Sequence, residues 1–256
     1  GHGHPGPERE SSQTLLKIIS DEDVCGYWFG ANAQIIENVV KSAIVGEDPF
    51  DREKIWRDLN HRQRLNMGTM TDKVLMAVDL ALWDLAGKAA GKPVYELLGG
   101  PVKPDIPVYA SALHPVGAEK VQAEAKAYVE EGYQAMKMRF PYGPGHGIAG
   151  MRANEEHVAN VRDAVGDDIE IMADAYMSWD FLYAKKMVKR LEPYRLAWLE
   201  EAFLPDDLNS YAKLRQETSI PISGGEHEYT RFGFQQIIEK QAMDIIQPDL
   251  RRGGGL

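Results

Sequence analysis

The sequence predicts an α/β chain whose second part alternates strand and helix in the manner of a (β/α) barrel, preceded by an α+β region. Three observations carry this. Residues 1–104 read as strands followed by helices. From residue 105 to residue 256, apolar runs of strand length alternate with helical stretches. Between them lies LLGGPVKPDIP, where clustered glycine and proline break both periodicities. The domains are therefore read as 1–104 and 105–256.

The elements follow in order. Residues 14–29, TLLKIISDEDVCGYWF, place two apolar runs around an acidic turn, which predicts a hairpin. Ile35, Ile36, Val39 and Val40, then Ile55, Trp56 and Leu59, recur at helical spacing within 31–66. The strongest helix runs from Thr71 to Gly91, with Leu75, Val78, Asp79, Leu82 and Trp83 at three- and four-residue steps and Gly87 and Gly91 marking its end. Beyond the boundary the strand cores are IPVYAS, YQAMKMRF, IEIMADAY, LAWLEEAF, IPISGGEH and MDIIQPDL. Stretches such as AEKVQAEAKAYVEEG and YAKKMVKRLEPY supply the helices between them. This order predicts parallel strands joined by helical crossovers. A closed barrel needs eight such units over about 250 residues. Six strands are visible, so about two units are expected to lie outside the sequence as given. The start at GHGHPGPERE and the stop at RRGGGL fit the same expectation.

Composition narrows the functional classes. The 256 residues carry a net charge of −10, which disfavours a nucleic-acid partner. No apolar run reaches the roughly 20 residues of a membrane helix. The single cysteine, Cys25, allows no internal disulfide and fits a reducing, cytoplasmic setting.

The chemistry is carried by strand ends. Asp174 lies in ADAY, Glu200 in WLEE and Glu226 in GGEHE, at a step of 26 residues from each to the next. One strand–helix unit per step delivers three carboxylates to the carboxyl ends of successive strands, where barrel enzymes place their sites. Singly, each would read as a solvated loop acid or a helix cap. Together they would repel one another unless a cation neutralised them, and hard oxygen donors suit Mg²⁺. Glu201 adjoins Glu200 but should face the other way, leaving it a supporting or ion-pairing role. Lys137 and Arg139, two apart in AMKMRF, share a face. If that face is the barrel interior, Lys137 holds a substrate carboxylate or assists at the metal, and Arg139, permanently protonated, binds rather than abstracts. The plainer alternative is a basic pair that balances the acids. His227 is either a catalytic group or a loop histidine. His146, in PYGPGHG, either lines the site or belongs to a plain loop.

VDLALWDLAGKAAGKPVYELLGG, ADAY, WLEE, GGEHEYTR and DIIQPDLRRGGG together resemble the mandelate racemase subgroup of the enolase superfamily. Within it, GGEHEYTRFGF, DIIQPD and PYGPGHG look most like acid-sugar dehydratases of the rhamnonate type. The resemblance implies an α+β capping domain over a modified barrel of TIM type. It implies Asp174, Glu200 and Glu226 as Mg²⁺ ligands and Lys137 as the first lysine of a Lys-x-Lys motif. Arg139 departs from that motif's second, proton-abstracting lysine, which argues against a two-base racemase. Asp249 matches the aspartate that orients a histidine base, and no residue of the sequence matches that histidine. His2, His4 and Arg9 fall where a specificity loop is expected, unless that stretch is an expression scar. The implied reaction is loss of water from a sugar acid through an enediolate, giving a 2-keto-3-deoxy acid. The implied partners are the small sugar acid and further copies of the chain. An epimerase or racemase, or a non-catalytic member, remain the competing readings.

Overall fold

The computed structural model describes residues 13–65 and 72–256. The chain forms two compact units. One comprises Ile106–His227 and Phe234–Gln247; the other comprises the described residues up to Asp105 with Glu228–Gly233 and Pro248–Leu256.

The second of these opens with the expected hairpin. β1 (Leu15–Ile19) and β2 (Cys25–Phe29) pair antiparallel, with Leu16 opposite Trp28. Its inner face lies on α2 (Asp72–Ala90), after α1 (Arg52–Leu65). The approach is so close that a Cβ at Gly26 would stand 1.9 Å from the Ala81 carbonyl oxygen. Only glycine fits there. Leu16, Val40, Ile55, Trp56, Leu59, Leu75 and Val78 form the core of this unit. Gly87 does not end α2 as its residue type suggests. The helix continues to Ala90, and the missing side chain instead makes room for the Lys92 carbonyl. The stop belongs to Gly91, at φ 63°.

Two later segments are built into the same core. The Trp56 indole N–H donates to the Gly254 carbonyl at 2.8 Å, and Arg231 grips Glu53 with two bonds of 3.0 Å. Asp79, buried on α2, accepts the Leu256 backbone N–H at 2.8 Å. Burial pushes its carboxyl up to about 6, against the pull of that hydrogen bond and of Arg52 and Arg231.

The other unit is a six-stranded, fully parallel sheet in chain order. Its strands are β3 (Ala110–Ser111), β4 (Ala135–Arg139), β5 (Glu170–Asp174), β6 (Trp198–Glu200), β7 (Ile222–Gly224) and β8 (Ile245–Ile246). The crossovers are α3 (Ala118–Glu130), α4 (Gly147–Val165), α5 (Phe181–Leu191), α6 (Leu208–Glu217) and α7 (Thr230–Glu239). This is the strand–helix succession of a (β/α) barrel, as the sequence pattern predicts. Alternation along the strands sorts side chains by face. Met136, Met138, Ile171, Ala173, Leu199 and Ile222 join the apolar core with the helices. Lys137, Arg139, Met172, Asp174, Trp198, Glu200 and Ser223 occupy the alternate positions, and that face carries the polar chemistry. Among the described residues, no helix is long and apolar enough to cross a membrane.

Asp79 generates a test of the first unit described. Its folded pKa lies above that of an unfolded aspartate, so the folded state binds the extra proton between about pH 4 and pH 6. Stability is therefore full below that window and falls by about 3 kcal/mol as pH rises through it. Asp79→Asn, whose amide oxygen still accepts the Leu256 N–H, should flatten this fall in urea titrations at pH 4.5 and pH 8. An unchanged slope would show that Asp79 is not the group responsible.

Candidate metal centre

Asp174 and Glu200 are direct neighbours across β5 and β6, and Arg139 on β4 is the register partner of Asp174. Both carboxylates are 1% exposed. Two such charges side by side out of water need compensation, and the same face supplies it. The Lys137 ammonium bonds Glu200 Oε1 and stands 4.0 Å from Asp174 Oδ2. The Arg139 guanidinium donates to Asp174 Oδ2 from Nε at 3.2 Å and from a terminal nitrogen at 2.9 Å. Asp174 Oδ1 accepts the Tyr176 backbone N–H at 2.7 Å. Burial, and then the charge of Glu200, still push the Asp174 carboxyl above the usual range, outweighing Lys137 and Arg139. Burial alone would lower the Lys137 ammonium, but Glu200 and then Asp174 hold it above its ordinary value.

Glu226 is placed differently from what its spacing suggests. The register partner of Glu200 on β7 is Ser223, so Glu226 lies three residues further on, past the end of the strand. Gly225, at φ 106°, turns the backbone there. Glu201 also leaves its strand, at φ 43°, so the two-residue alternation no longer governs it. Its side chain is buried and accepts from His227 Nδ1 at 2.7 and 2.8 Å. Glu226 Oε1 lies 3.5 Å from the same nitrogen. Among the described residues, Glu201, Glu226 and His227 are the acidic and histidine groups whose ligand atoms all lie within 4.8 Å of one another. Asp174 and Glu200 stand apart from that set, each held by a cation.

Tyr176 links the two groups. The Arg139 guanidinium lies 4.3 Å from its ring centroid, and the His227 ring meets it edge-on at 5.6 Å. Nothing in the sequence signals this role, because Tyr176 sits on a left-handed turn (φ 47°) rather than on the strand. Trp198 follows from strand alternation. It precedes Glu200 by two residues and so shares its face, and its indole N–H donates to Glu200 Oε2 at 2.9 Å. Gln247 Nε2 donates to the same oxygen at 3.1 Å.

The remaining expected residues lie elsewhere. His146 ends a 3₁₀ turn, Pro144–His146, where it is exposed, packs on the Tyr142 ring and contacts Gly143. Asp249 belongs to the other unit. There it caps the short helix α8 (Leu250–Gly253) and bonds Arg251, which holds its carboxyl below the usual range. His4, with His2 and Arg9, lies outside the described residues.

Residues 13–99 match the family of mandelate racemase and muconate lactonizing enzyme N-terminal domains, and residues 120–256 match enolase C-terminal domain-like proteins. The chain belongs to the mandelate racemase subgroup of the enolase superfamily. Its relatives in that subgroup include an L-rhamnonate dehydratase of Saccharopolyspora erythraea, 37% identical over 88% of this chain and 56% of the relative. A putative L-rhamnonate dehydratase of Caldivirga maquilingensis is 37% identical over 94% of this chain and 60% of its own length. The chain thus spans between 56% and 60% of these relatives. Among solved structures of the superfamily, D-glucarate dehydratase from Agrobacterium tumefaciens, complexed with magnesium, superposes with a TM-score of 0.89 at 32% identity, covering 98% of this chain and 68% of that one. Rhamnonate dehydratase from Gibberella zeae, complexed with Mg, does so at 0.84 and 31%, covering 95% and 59%.

The cation pairs make a prediction for this subgroup member. Lys137→Met removes the cation that, among the described residues, approaches both buried carboxylates, and should cost about 3–5 kcal/mol of stability. Arg139→Met should cost less, because the Arg139 side chain is 32% exposed. Urea denaturation measures both, and equal losses would contradict the division of labour.

Proposed function

We propose that this chain is part of a Mg²⁺-dependent dehydratase of a rhamnonate-like sugar acid. The observation that carries the reading is the pair of buried carboxylates, Asp174 and Glu200, set in register at the strand ends with cations beside them. It is supported by the 37% identity to rhamnonate dehydratases. The donor set fits a hard divalent ion. All three, Asp174, Glu200 and Glu226, offer carboxylate oxygen, and the Asp174 carboxyl, raised by burial and then by the charge of Glu200, is one that a further cation would hold ionised. When bound, the ion polarises the substrate carboxylate and stabilises the charge that develops as the α proton leaves.

The chain's own residues supply the rest. Lys137 anchors the substrate carboxylate, and Arg139 binds substrate oxygens. The proton passes to a base that Asp249 orients, as the family resemblance implies, or to His227, whose ring Glu201 fixes through Nδ1. The β-hydroxyl then departs with that proton's equivalent as water, and the enol becomes the 2-keto-3-deoxy acid. Arg139 bears against the epimerase alternative. Bonded to Asp174 and stacked on Tyr176, a guanidinium cannot act as the second base.

The test is a screen of the full-length protein against a library of acid sugars with Mg²⁺, trapping 2-keto-3-deoxy products with semicarbazide. Rhamnonate or a close analogue should give product that EDTA abolishes, and Glu226→Gln should lower kcat by at least 10²-fold with the fold intact, on the scale of losing one charge-stabilising group at a preorganised site. Undiminished activity in Glu226→Gln would sink the ligand assignment. Deuterium exchange at the α carbon without product would replace dehydration by epimerisation.

A further inference from the structure

Among the described residues, hydrogen bonds account for three of the acceptor sites of Glu200. An ionised carboxylate offers about four lone-pair sites, two on each oxygen. Oε2 accepts two hydrogen bonds, from Trp198 Nε1 at 2.9 Å and from Gln247 Nε2 at 3.1 Å. Oε1 accepts one, from Lys137. That leaves one site, on Oε1, the oxygen whose ammonium partner also approaches Asp174. The Gln247 amide is itself held in place. Ser223 Oγ donates to its Oε1, which obliges Nε2 to face Glu200, and the Gln247 backbone N–H is bonded to the Gly224 carbonyl at 2.9 Å. Trp198 is braced by the Tyr109 ring, edge-on at 5.6 Å.

We infer that Trp198 and Gln247 are positioning residues that saturate Glu200 Oε2, restrict this carboxylate to binding a cation through Oε1 alone, and so favour Mg²⁺ over Ca²⁺. Mg²⁺ accepts single oxygens in a compact octahedron, whereas Ca²⁺ gains from carboxylates that can swing to present both oxygens. Partners behind a metal ligand commonly change affinity by about 10–100-fold when removed. The inference rests on the proposed cation site, and goes beyond it in naming what sets the site's selectivity.

The experiment measures Mg²⁺ and Ca²⁺ affinities by calorimetry on the purified full-length protein and on Trp198→Phe and Gln247→Met. Trp198→Phe removes the indole donor to Glu200 and keeps an aromatic ring, and Gln247→Met removes the amide donor together with the acceptor of the Ser223 hydroxyl. Mg²⁺ affinity should fall about 10–100-fold in each, while Ca²⁺ affinity falls less, so that the ratio of the two narrows. A purely structural role would lower the melting temperature and leave the ratio where it was. If the wild type binds Mg²⁺ and both variants keep its affinity and its ratio, the inference is overturned while the metal site stands. If the wild type binds no divalent cation, the proposed site falls and the inference with it. Should Trp198→Phe fail to fold, Gln247→Met decides, since Gln247 is only half-buried and lies outside the apolar core.

Discussion

Two carboxylates, Asp174 and Glu200, lie side by side and fully buried on neighbouring strands, and the polar face of the sheet is arranged around that fact. Uncompensated, such a pair would cost several kcal/mol per charge. The strand on one side answers with Lys137 and Arg139, spaced two apart so that both reach the same face. Trp198, on the same strand as Glu200, fixes its far oxygen together with Gln247. The helix-facing positions of the same strands are apolar throughout, so the polar cluster is walled off on one side by the core. Rigid strands therefore hold each charge, and the loops beyond them only add to the cluster.

Those loops depart from ordinary backbone where the chemistry gathers. Tyr176, Met177 and Glu201 are side-chain-bearing residues with φ of 47°, 58° and 43°. Each such residue costs about 1–3 kcal/mol unless its surroundings impose it. Here they do so through the Met177 N–H, which bonds the Glu201 carbonyl at 2.6 Å, and the Tyr176 N–H, which bonds Asp174. The turn at Tyr176 lays its ring between Arg139 and His227, and the turn at Glu201 carries its carboxylate to His227. Strain at these strand ends is thus tied to the placement of the polar side chains.

Much of this was legible in the sequence, for stated reasons. The hairpin and the strand–helix alternation follow from apolar periodicity, and the 26-residue step from Asp174 to Glu200 does correspond to register neighbours. The identical step to Glu226 does not. Equal sequence spacing measures equal arc, not equal height, and a longer strand-end turn through Gly225 absorbs the difference. The alternation rule stops at the strand end, at Glu200, and so gives no sign that Glu201 meets His227. Gly87 reads as a helix stop and is a packing glycine, because the chain turns back after Gly91 and brings the Lys92 carbonyl against it, a demand that residue type alone does not distinguish from a helix end. Gln247 carried no signal of its own. Its partners, Ser223 and Glu200, are 24 and 47 residues away and are brought together only by strand order.

The most direct test of the cation site is to crystallise the full-length protein with Mn²⁺, an oxygen-seeking stand-in for Mg²⁺, and to locate the ion by its anomalous scattering. A peak bonded to Asp174, Glu200 and Glu226 is the predicted result. The structure also offers a rival arrangement, since Glu226 already lies with Glu201 and His227. A peak held by Glu201, Glu226 and His227, with Asp174 and Glu200 still paired to Arg139 and Lys137, would contradict the account.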